Sequence, residues 1–290
     1  MLSFFARIFG YFLNSIYSVV NNYGLAIIVF TVLLKIIMLP ISIKQQKTLK
    51  KSAKIQAQAK EIQEKYRNDQ VRQSQEVMEL YKKENMSPFS GCLSSIVQFI
   101  LLISIFYLVR QPLTYMKNVS SDIISNYSSQ IEEDQRRGYE EIYIIKNFGE
   151  KDPNVYVNMN FLGLDLSDIP SQNMTNWKVF IIPVLYVATS IASMRLTTAL
   201  NKAKPKEVVE EKIEVKENEE EKSLIPNENK ENEAMDEYMK QMNLFMPLMT
   251  VSIALIAPLG LALYWFVSNL LMILERLIIN KFFKEEEEEA

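Results

Sequence analysis

The sequence lacks the residues on which most familiar enzyme classes depend. It contains no histidine and a single cysteine, Cys92, which excludes Ser-His-Asp and Cys-His catalysis, histidine-based metal sites and an internal disulfide. Its seven glycines are never closer than eleven residues apart, so it contains neither a GxGxxG turn nor a phosphate-binding P-loop. We therefore expect no enzymatic activity, no metal and no cofactor.

One residue, Lys35, points to chemistry of another kind, because it is a charge within the apolar stretch Gly24–Ile43. It is the twelfth residue of that stretch, about 16 Å along a helix from its start. A charge at the middle of a bilayer costs at least about 2.5–3.5 kcal/mol on insertion scales. Such residues usually face a bundle interior or a water-filled cavity, which makes Lys35 a functional candidate.

Three interpretations of Lys35 are open. It could extend to the headgroups near Lys44, but a helical side chain leans toward the helix N-terminus, away from them. It could form a structural ion pair with Glu275, an exception among predicted spans that contain almost no acids. The interpretation that we favour is a cationic, water-filled cavity, because polar residues accumulate on the other spans.

The residues predicted to line this cavity are hydroxyl and amide side chains, each of which alone is more often a helix contact. With Lys35, the candidate groove comprises Thr31, Ser95, Gln98, Ser190, Ser268 and Asn269.

The elements that must position these residues are membrane spans. A bilayer core about 30 Å thick needs about 20 mostly apolar helical residues. Hydropathy predicts an all-α integral membrane protein with five transmembrane helices, at 23–43, 89–110, 178–200, 241–257 and 261–281, and a tight turn at 258–260. In the fourth span the apolar run Leu244–Ala257 would be only about 21 Å long, short for a bilayer.

The first 22 residues predict an amphipathic helix lying in the membrane interface. Its apolar residues recur at helical spacing, at Phe5, Phe9, Phe12, Ile16 and Val20. A sixth span and a cleaved signal peptide are the alternatives.

The charges of the loops predict the orientation. Residues 44–88 contain eleven basic residues, whereas 111–177 contain five against ten acidic ones. Because positively charged loops stay in the cytoplasm, the N-terminus lies outside and the C-terminus inside. Residues 44–88 are predicted to form a cytoplasmic helical hairpin that breaks near Asn68-Asp69. Its lysines either contact a partner molecule or form a solvated helix face: Lys50, Lys51, Lys54 and Lys60.

The remaining segments carry weaker signals. In the extracytoplasmic loop 111–177, the β-branched and aromatic runs Tyr143–Ile145 and Val155–Val157 predict a short β-hairpin. Residues 201–240 are rich in Glu, Lys and Asn and read as a charged cytoplasmic linker. Residues 282–290 read as a solvated acidic tail in the cytoplasm.

From Tyr23 to about Phe283 the chain resembles the YidC/Oxa/Alb family of membrane insertases. The most specific stretch is Pro258–Leu270, which resembles the turn and fifth span of that family. Further resemblance lies in Tyr23–Pro40, Lys44-Gln45-Gln46, Gly91-Cys92 followed by Gln98, Phe161–Leu166 and Phe245-Met246-Pro247. The departures are Lys35 where an arginine is usual, Ser94 and Ile100 where prolines are common, a longer outer loop and an acidic tail.

The resemblance implies a groove that is open to the cytoplasm and to lipid and closed to the outside of a bacterial inner membrane. It implies nascent membrane proteins as clients, the lipid bilayer as a partner, the ribosome and the Sec translocon as further candidates, and no small-molecule substrate. The acidic tail argues against tail-mediated ribosome binding, since ribosomal RNA is polyanionic. The alternative is a transporter or channel subunit, but the sequence has no matched pair of broken helices of the kind that transporter repeats show.

Overall fold

The computed structural model describes residues 2–86, 90–201 and 249–288, and these residues are mostly helical. The helices are α1 (Leu2–Val20), α2 (Tyr23–Lys65), α3 (Gln70–Lys83), α4 (Ser90–Arg110), α5 (Pro112–Tyr115), α6 (Ser121–Ser128), α7 (Glu133–Phe148), α8 (Ile181–Asn201), α9 (residues 249–256) and α10 (Leu259–Glu288). Two short strands, β1 (Asn160–Phe161) and β2 (Leu164–Asp165), pair antiparallel, and 3-10 turns cover Pro170–Gln172 and Trp177–Phe180.

Three helices are long and apolar enough to cross a membrane, over Tyr23–Thr48, Trp177–Thr197 and Leu259–Lys281. They belong to α2, α8 and α10, which correspond to the first, third and fifth predicted spans. In α4 the apolar stretch among the described residues is shorter, Phe99–Arg110. The start of the predicted fourth span and all of the predicted linker except Asn201 lie outside the described residues.

The first span continues into the basic segment without a break. α2 runs for 43 residues, about 64 Å, from an N-cap at Asn22 whose side chain accepts a hydrogen bond from Leu25 N. The predicted end of the first span at residue 43 is therefore a change from apolar to basic composition within one continuous helix. The Lys-, Gln- and Ala-rich sequence after it favours helix as strongly as the apolar sequence before it.

Beyond α2 the chain turns at residues 66–69, and α3 runs back along the end of α2. The side-chain amide of Gln73 donates to the Gln63 carbonyl at 3.0 Å, near the turn. At the other end, Lys51 Nζ lies 3.5 Å from Glu84 Oε2. The two contacts fix an antiparallel arrangement of α3 on α2.

The last helix begins and ends differently from the prediction. α10 starts at Leu259, so Leu259 and Gly260, predicted to form the turn with Pro258, are already helical. Its first amide groups are satisfied from the loop region 111–177, because Leu259 N donates to Asp168 O and Gly260 N to Leu166 O, both at 2.9 Å. The predicted acidic tail continues this helix through Glu288, since glutamate is a good helix former.

The predicted β-hairpin in the outer loop is wrong. Residues Tyr143–Ile145 lie in α7, where the side chains of Ile144 and Ile145 are buried. Burial against the core here outweighs the β propensity of the isoleucines. The strands lie further along, in β1 and β2, where Leu162 and Gly163 both have positive φ and form a two-residue turn.

α1 is helical as predicted, and most of the predicted apolar stripe lies on its packed face, because Phe9, Ile16 and Val20 pack against the core. Ala6, Leu13 and Tyr17 are buried, whereas Phe12 of the predicted apolar stripe is 58% exposed. The helix packs against α2, α4 and α5. The packed face contains Gly10, where an added Cβ would lie 1.9 Å from the Tyr115 carbonyl oxygen, so the approach of α1 to α5 requires glycine. α1 is not among the three helices that qualify as membrane spans.

Candidate functional site

A cavity of about 610 Å³ lies between α2, α4, α8, α9 and α10. Its α2 wall presents residues three or four apart, which lie on one helix face: Thr31, Lys35, Met38, Ser42 and Gln45. The other helices contribute both polar and apolar side chains. The cavity therefore places polar groups inside a bundle in which three helices, α2, α8 and α10, are long and apolar enough to cross a membrane.

Lys35 lies in the wall of this cavity and is paired with an acid. Its Nζ is 3.5 Å from Glu275 Oε2 on α10, and the two side chains are 25% and 10% exposed. The lysine therefore does not extend away along α2. The ion pair and the cavity, which the sequence offered as alternatives, occur together.

The cavity occupies one half of the helix pair α2 and α10, and the other half is closed. In what we call the sealed half, formed by Tyr23–Phe30 of α2 and Leu259–Tyr264 of α10, side chains such as Tyr23, Ile27 and Leu261 are buried. The open half, Thr31–Gln46 of α2 and Trp265–Arg276 of α10, contains the cavity.

The loop region 111–177 covers the end of the sealed half. Tyr23 N donates to Asn158 O at 3.0 Å. The Phe161 ring packs directly on Gly24, where an added Cβ would lie 2.5 Å from the ring. With the main-chain bonds from Leu259 and Gly260, these contacts join the loop to the starts of both α2 and α10.

The comparisons with known proteins agree with this architecture. The sequence profile of the family described as 60Kd inner membrane protein matches residues 15–287. The chain belongs to this family. It is also similar to proteins named Membrane protein insertase YidC from Francisella tularensis subsp. novicida (strain U112), subsp. tularensis (strain WY96-3418) and subsp. holarctica (strain FTNF002-00 / FTA). Each is 40% identical over 111 residues, which are 38% of this chain and only 20% of the relative's length.

In this member of the 60Kd inner membrane protein family, the structure places five of the seven predicted groove residues in the cavity wall, namely Thr31, Lys35, Ser190, Ser268 and Asn269. Thr31 is buried and its hydroxyl donates to Ile27 O within its own helix at 2.6 Å, so it does not offer a free donor to the cavity. Ser95 and Gln98 lie on α4, but their side chains lie outside the described residues.

Sequence reasoning missed part of the wall. On α2 it missed Gln45 and Gln46, although their helical spacing from Lys35 and Ser42 was a readable signal. Between α8 and α10 it missed Tyr186 and Trp265, which stack with ring centroids 5.3 Å apart. No short-range pattern connects these two aromatic residues, because their contact depends on the packing of α8 on α10.

The four lysines proposed as client contacts have different surroundings. Lys51 Nζ contacts Glu84, which caps the end of α3, at both the carboxylate and the main-chain carbonyl oxygen of that residue, the latter at 2.5 Å. Lys54 and Lys60 are exposed. The side chain of Lys50 lies outside the described residues. Lys54 and Lys60 are thus better placed than Lys51 to meet another molecule.

Proposed function

We propose that this chain inserts nascent membrane proteins into the bacterial cell membrane and assists their folding there. The observation that carries the proposal is the polar, charged cavity in the open half of a bundle whose other half is sealed. The family membership and the printed names of the similar proteins support the same function.

We propose that the chain crosses the membrane five times, with α4 as the second span and the helix that contains α9 as the fourth. The N-terminus then lies outside, α1 lies in the outer interface, and the end of α2 with α3 forms a cytoplasmic hairpin. The basic residues of the segment 44–88 support this orientation. It places the sealed half toward the outside and the open half toward the cytoplasm.

The mechanism needs no covalent step. The hairpin meets the nascent chain through exposed lysines such as Lys54 and Lys60. The cavity receives the acidic, outward-bound segment by charge attraction. The apolar segment of the client then partitions into lipid, and burial of its apolar surface drives completion. The ribosome and the Sec translocon are candidate partners, although the acidic tail disfavours contact with ribosomal RNA.

The proposed function is tested with the full chain reconstituted in lipid vesicles. A small single-span client with an acidic outward segment is synthesised in their presence, and its insertion is scored by protection from added protease. We expect the protected fraction to exceed that in protein-free vesicles several-fold. Equal protection in the two kinds of vesicle would show that the chain is not an insertase.

The orientation is tested by cysteine labelling in a Cys92→Ser background. Lys60→Cys lies on the end of α2, and Ser129→Cys lies in the outer loop; both positions are exposed. In intact cells a membrane-impermeant thiol reagent should label position 129 and leave position 60 unlabelled until the cells are opened. Labelling of position 60 in intact cells would reverse the orientation and remove the basis for a cytoplasmic groove.

A further inference from the structure

The lining of the cavity includes three charged residues, and their charges do not cancel. Within the described residues these are Lys35, Glu275 and Arg276. Lys35 is paired with Glu275 at 3.5 Å. Two cations and one anion leave the cavity wall with one net positive charge, so Lys35 alone does not supply a free cation.

Arg276 has an unfilled capacity for an anion. It follows Glu275 on α10 and lies within Coulombic range of that carboxylate. Among the described residues, its terminal nitrogen Nη1 is buried and has no hydrogen-bond acceptor. A guanidinium is the side chain best suited to bind a carboxylate through two parallel hydrogen bonds.

We infer that the cationic character of the groove is a property of the triad Lys35, Glu275 and Arg276, in which Arg276 is the surplus cation that receives an acidic segment of the client. Lys35 holds Glu275, and that pairing leaves the guanidinium available. The inference rests on the proposed insertase function and adds to it the balance of three charges that determines client specificity. The groove then discriminates clients by its net charge, not by the identity of Lys35.

The triad makes a prediction that can be tested by counting charges. Lys35→Gln and Arg276→Gln each bring the net charge of the wall to zero. The double variants Lys35→Gln with Glu275→Gln, and Arg276→Gln with Glu275→Gln, return it to one positive charge. Arg276→Lys keeps the charge and serves as the conservative control. Each variant is made in the full chain, reconstituted in vesicles, and checked for abundance and thermal unfolding.

The assay uses two clients that differ only in the outward segment, acidic in one and amidated to Asn and Gln in the other. For both single neutral variants we expect the ratio of acidic to neutral client insertion to fall roughly tenfold or more, because Coulomb attraction to the wall is lost. Both double variants and Arg276→Lys should recover the ratio to within about twofold of the unmodified protein.

The outcomes separate this inference from the proposed function. If Arg276→Gln keeps the ratio while Lys35→Gln loses it, or if the double variants stay at the ratio of the single ones, the triad is wrong. Insertion of both clients by the unmodified protein would in that case leave the insertase proposal standing. If the unmodified protein inserts neither client better than empty vesicles, the proposed function itself is wrong. The neutral client distinguishes lost folding from lost discrimination, since a misfolded variant inserts neither.

Discussion

The sealed and open halves are built from the same two helices, yet they pack differently. In the sealed half Ala26, Ile27 and Ala262 are at most 1% exposed, and Gly24 lets the Phe161 ring sit against the α2 backbone. In the open half the facing residues include the charged Lys35, Glu275 and Arg276, and a cavity of about 610 Å³ remains between the helices. Small apolar residues let helices approach closely. In the open half α2 and α10 are instead joined by the ion pair of two longer side chains, Lys35 and Glu275.

The comparison extends to two carboxylates that are both largely withdrawn from solvent. Glu275 in the open half forms an ion pair with Lys35, and both side chains line the cavity. Glu141 in α7 belongs to the loop region beside the sealed half and is 4% exposed. It accepts hydrogen bonds from Leu113 N at 2.7 Å, from Thr114 N at 3.0 Å and from the Thr114 hydroxyl. One acid is thus held by a charge and the other by the unpaired amides at the start of α5.

The largest effect is expected from Glu141→Ala, which breaks the closed region. It leaves two backbone N–H groups, of which Leu113 N is buried, without their acceptor, and each such group costs about 1–3 kcal/mol. Thermal unfolding in detergent micelles should show a clear loss of stability. Glu141→Gln is the control, because its amide oxygen can accept both N–H bonds while its amino group donates to Thr114. Equal stability of the two variants would contradict the assigned role.

The same site gives a pH dependence. Burial raises the pKa of Glu141, against the opposing effect of its hydrogen bonds from Thr114 and Leu113. A raised pKa in the folded state stabilises the fold at low pH, below the unfolded value of about 4.3, and this contribution is lost as pH rises through the folded value. The stability of the unmodified protein relative to Glu141→Gln should therefore fall as the pH rises from about 4.3 through the raised folded-state pKa of Glu141. Parallel stability curves for the two proteins would show that Glu141 titrates normally.

An intermediate effect is expected from adding one carbon to the sealed half. Gly24→Ala would place a Cβ 2.5 Å from the Phe161 ring, whereas Gly260→Ala meets its nearest neighbours at 3.5 Å. Both changes gain about 1 kcal/mol of helix propensity, so their difference isolates the collision. We expect Gly24→Ala to be less stable than Gly260→Ala by about 1–3 kcal/mol, the usual cost of overpacking. Denaturant unfolding of the two variants measures this difference. Identical midpoints would mean that the Phe161 ring does not press on α2.

The features of the fold and the site that the sequence predicts are those carried by residues close together in the chain. The spans in α2, α8 and α10 follow from continuous apolar runs, and Lys35 is conspicuous within one of them. The pairing of Lys35 with Glu275 joins residues 240 positions apart. The contact forms because both side chains are long and the offset of α2 against α10 is set by tertiary packing.

Other errors arose where local propensity competed with packing. The run Tyr143–Ile145 has high β propensity, but its isoleucines are buried within helix α7. In α1 the spacing of the large residues indicated most of the packed face, but it wrongly included Phe12 and omitted Gly10, which lies against the Tyr115 carbonyl. A single sequence does not reveal which side of a helix meets a backbone from a distant segment.

The smallest effect on stability is expected from a larger side chain in the wall of the open half. Ser190→Leu enlarges a half-buried side chain that lines the cavity, and the space is available without displacing a neighbour. We expect its free energy of unfolding to change by less than about 0.5 kcal/mol, in contrast to the one-carbon change at Gly24. Ala188→Leu, an exposed position on the same helix, is the matched control for a larger apolar side chain on α8.

Insertion, unlike stability, should distinguish these two variants. A leucine at position 190 takes up part of the cavity and removes a hydroxyl from its wall, so it should reduce insertion of the acidic client while the protein remains folded. The change at Ala188 leaves the cavity lining intact and should insert both clients normally. If Ser190→Leu lowers stability as much as Gly24→Ala does, the open half is packed as tightly as the sealed half. If it keeps full stability and full insertion, the cavity is real but clients do not enter it at α8.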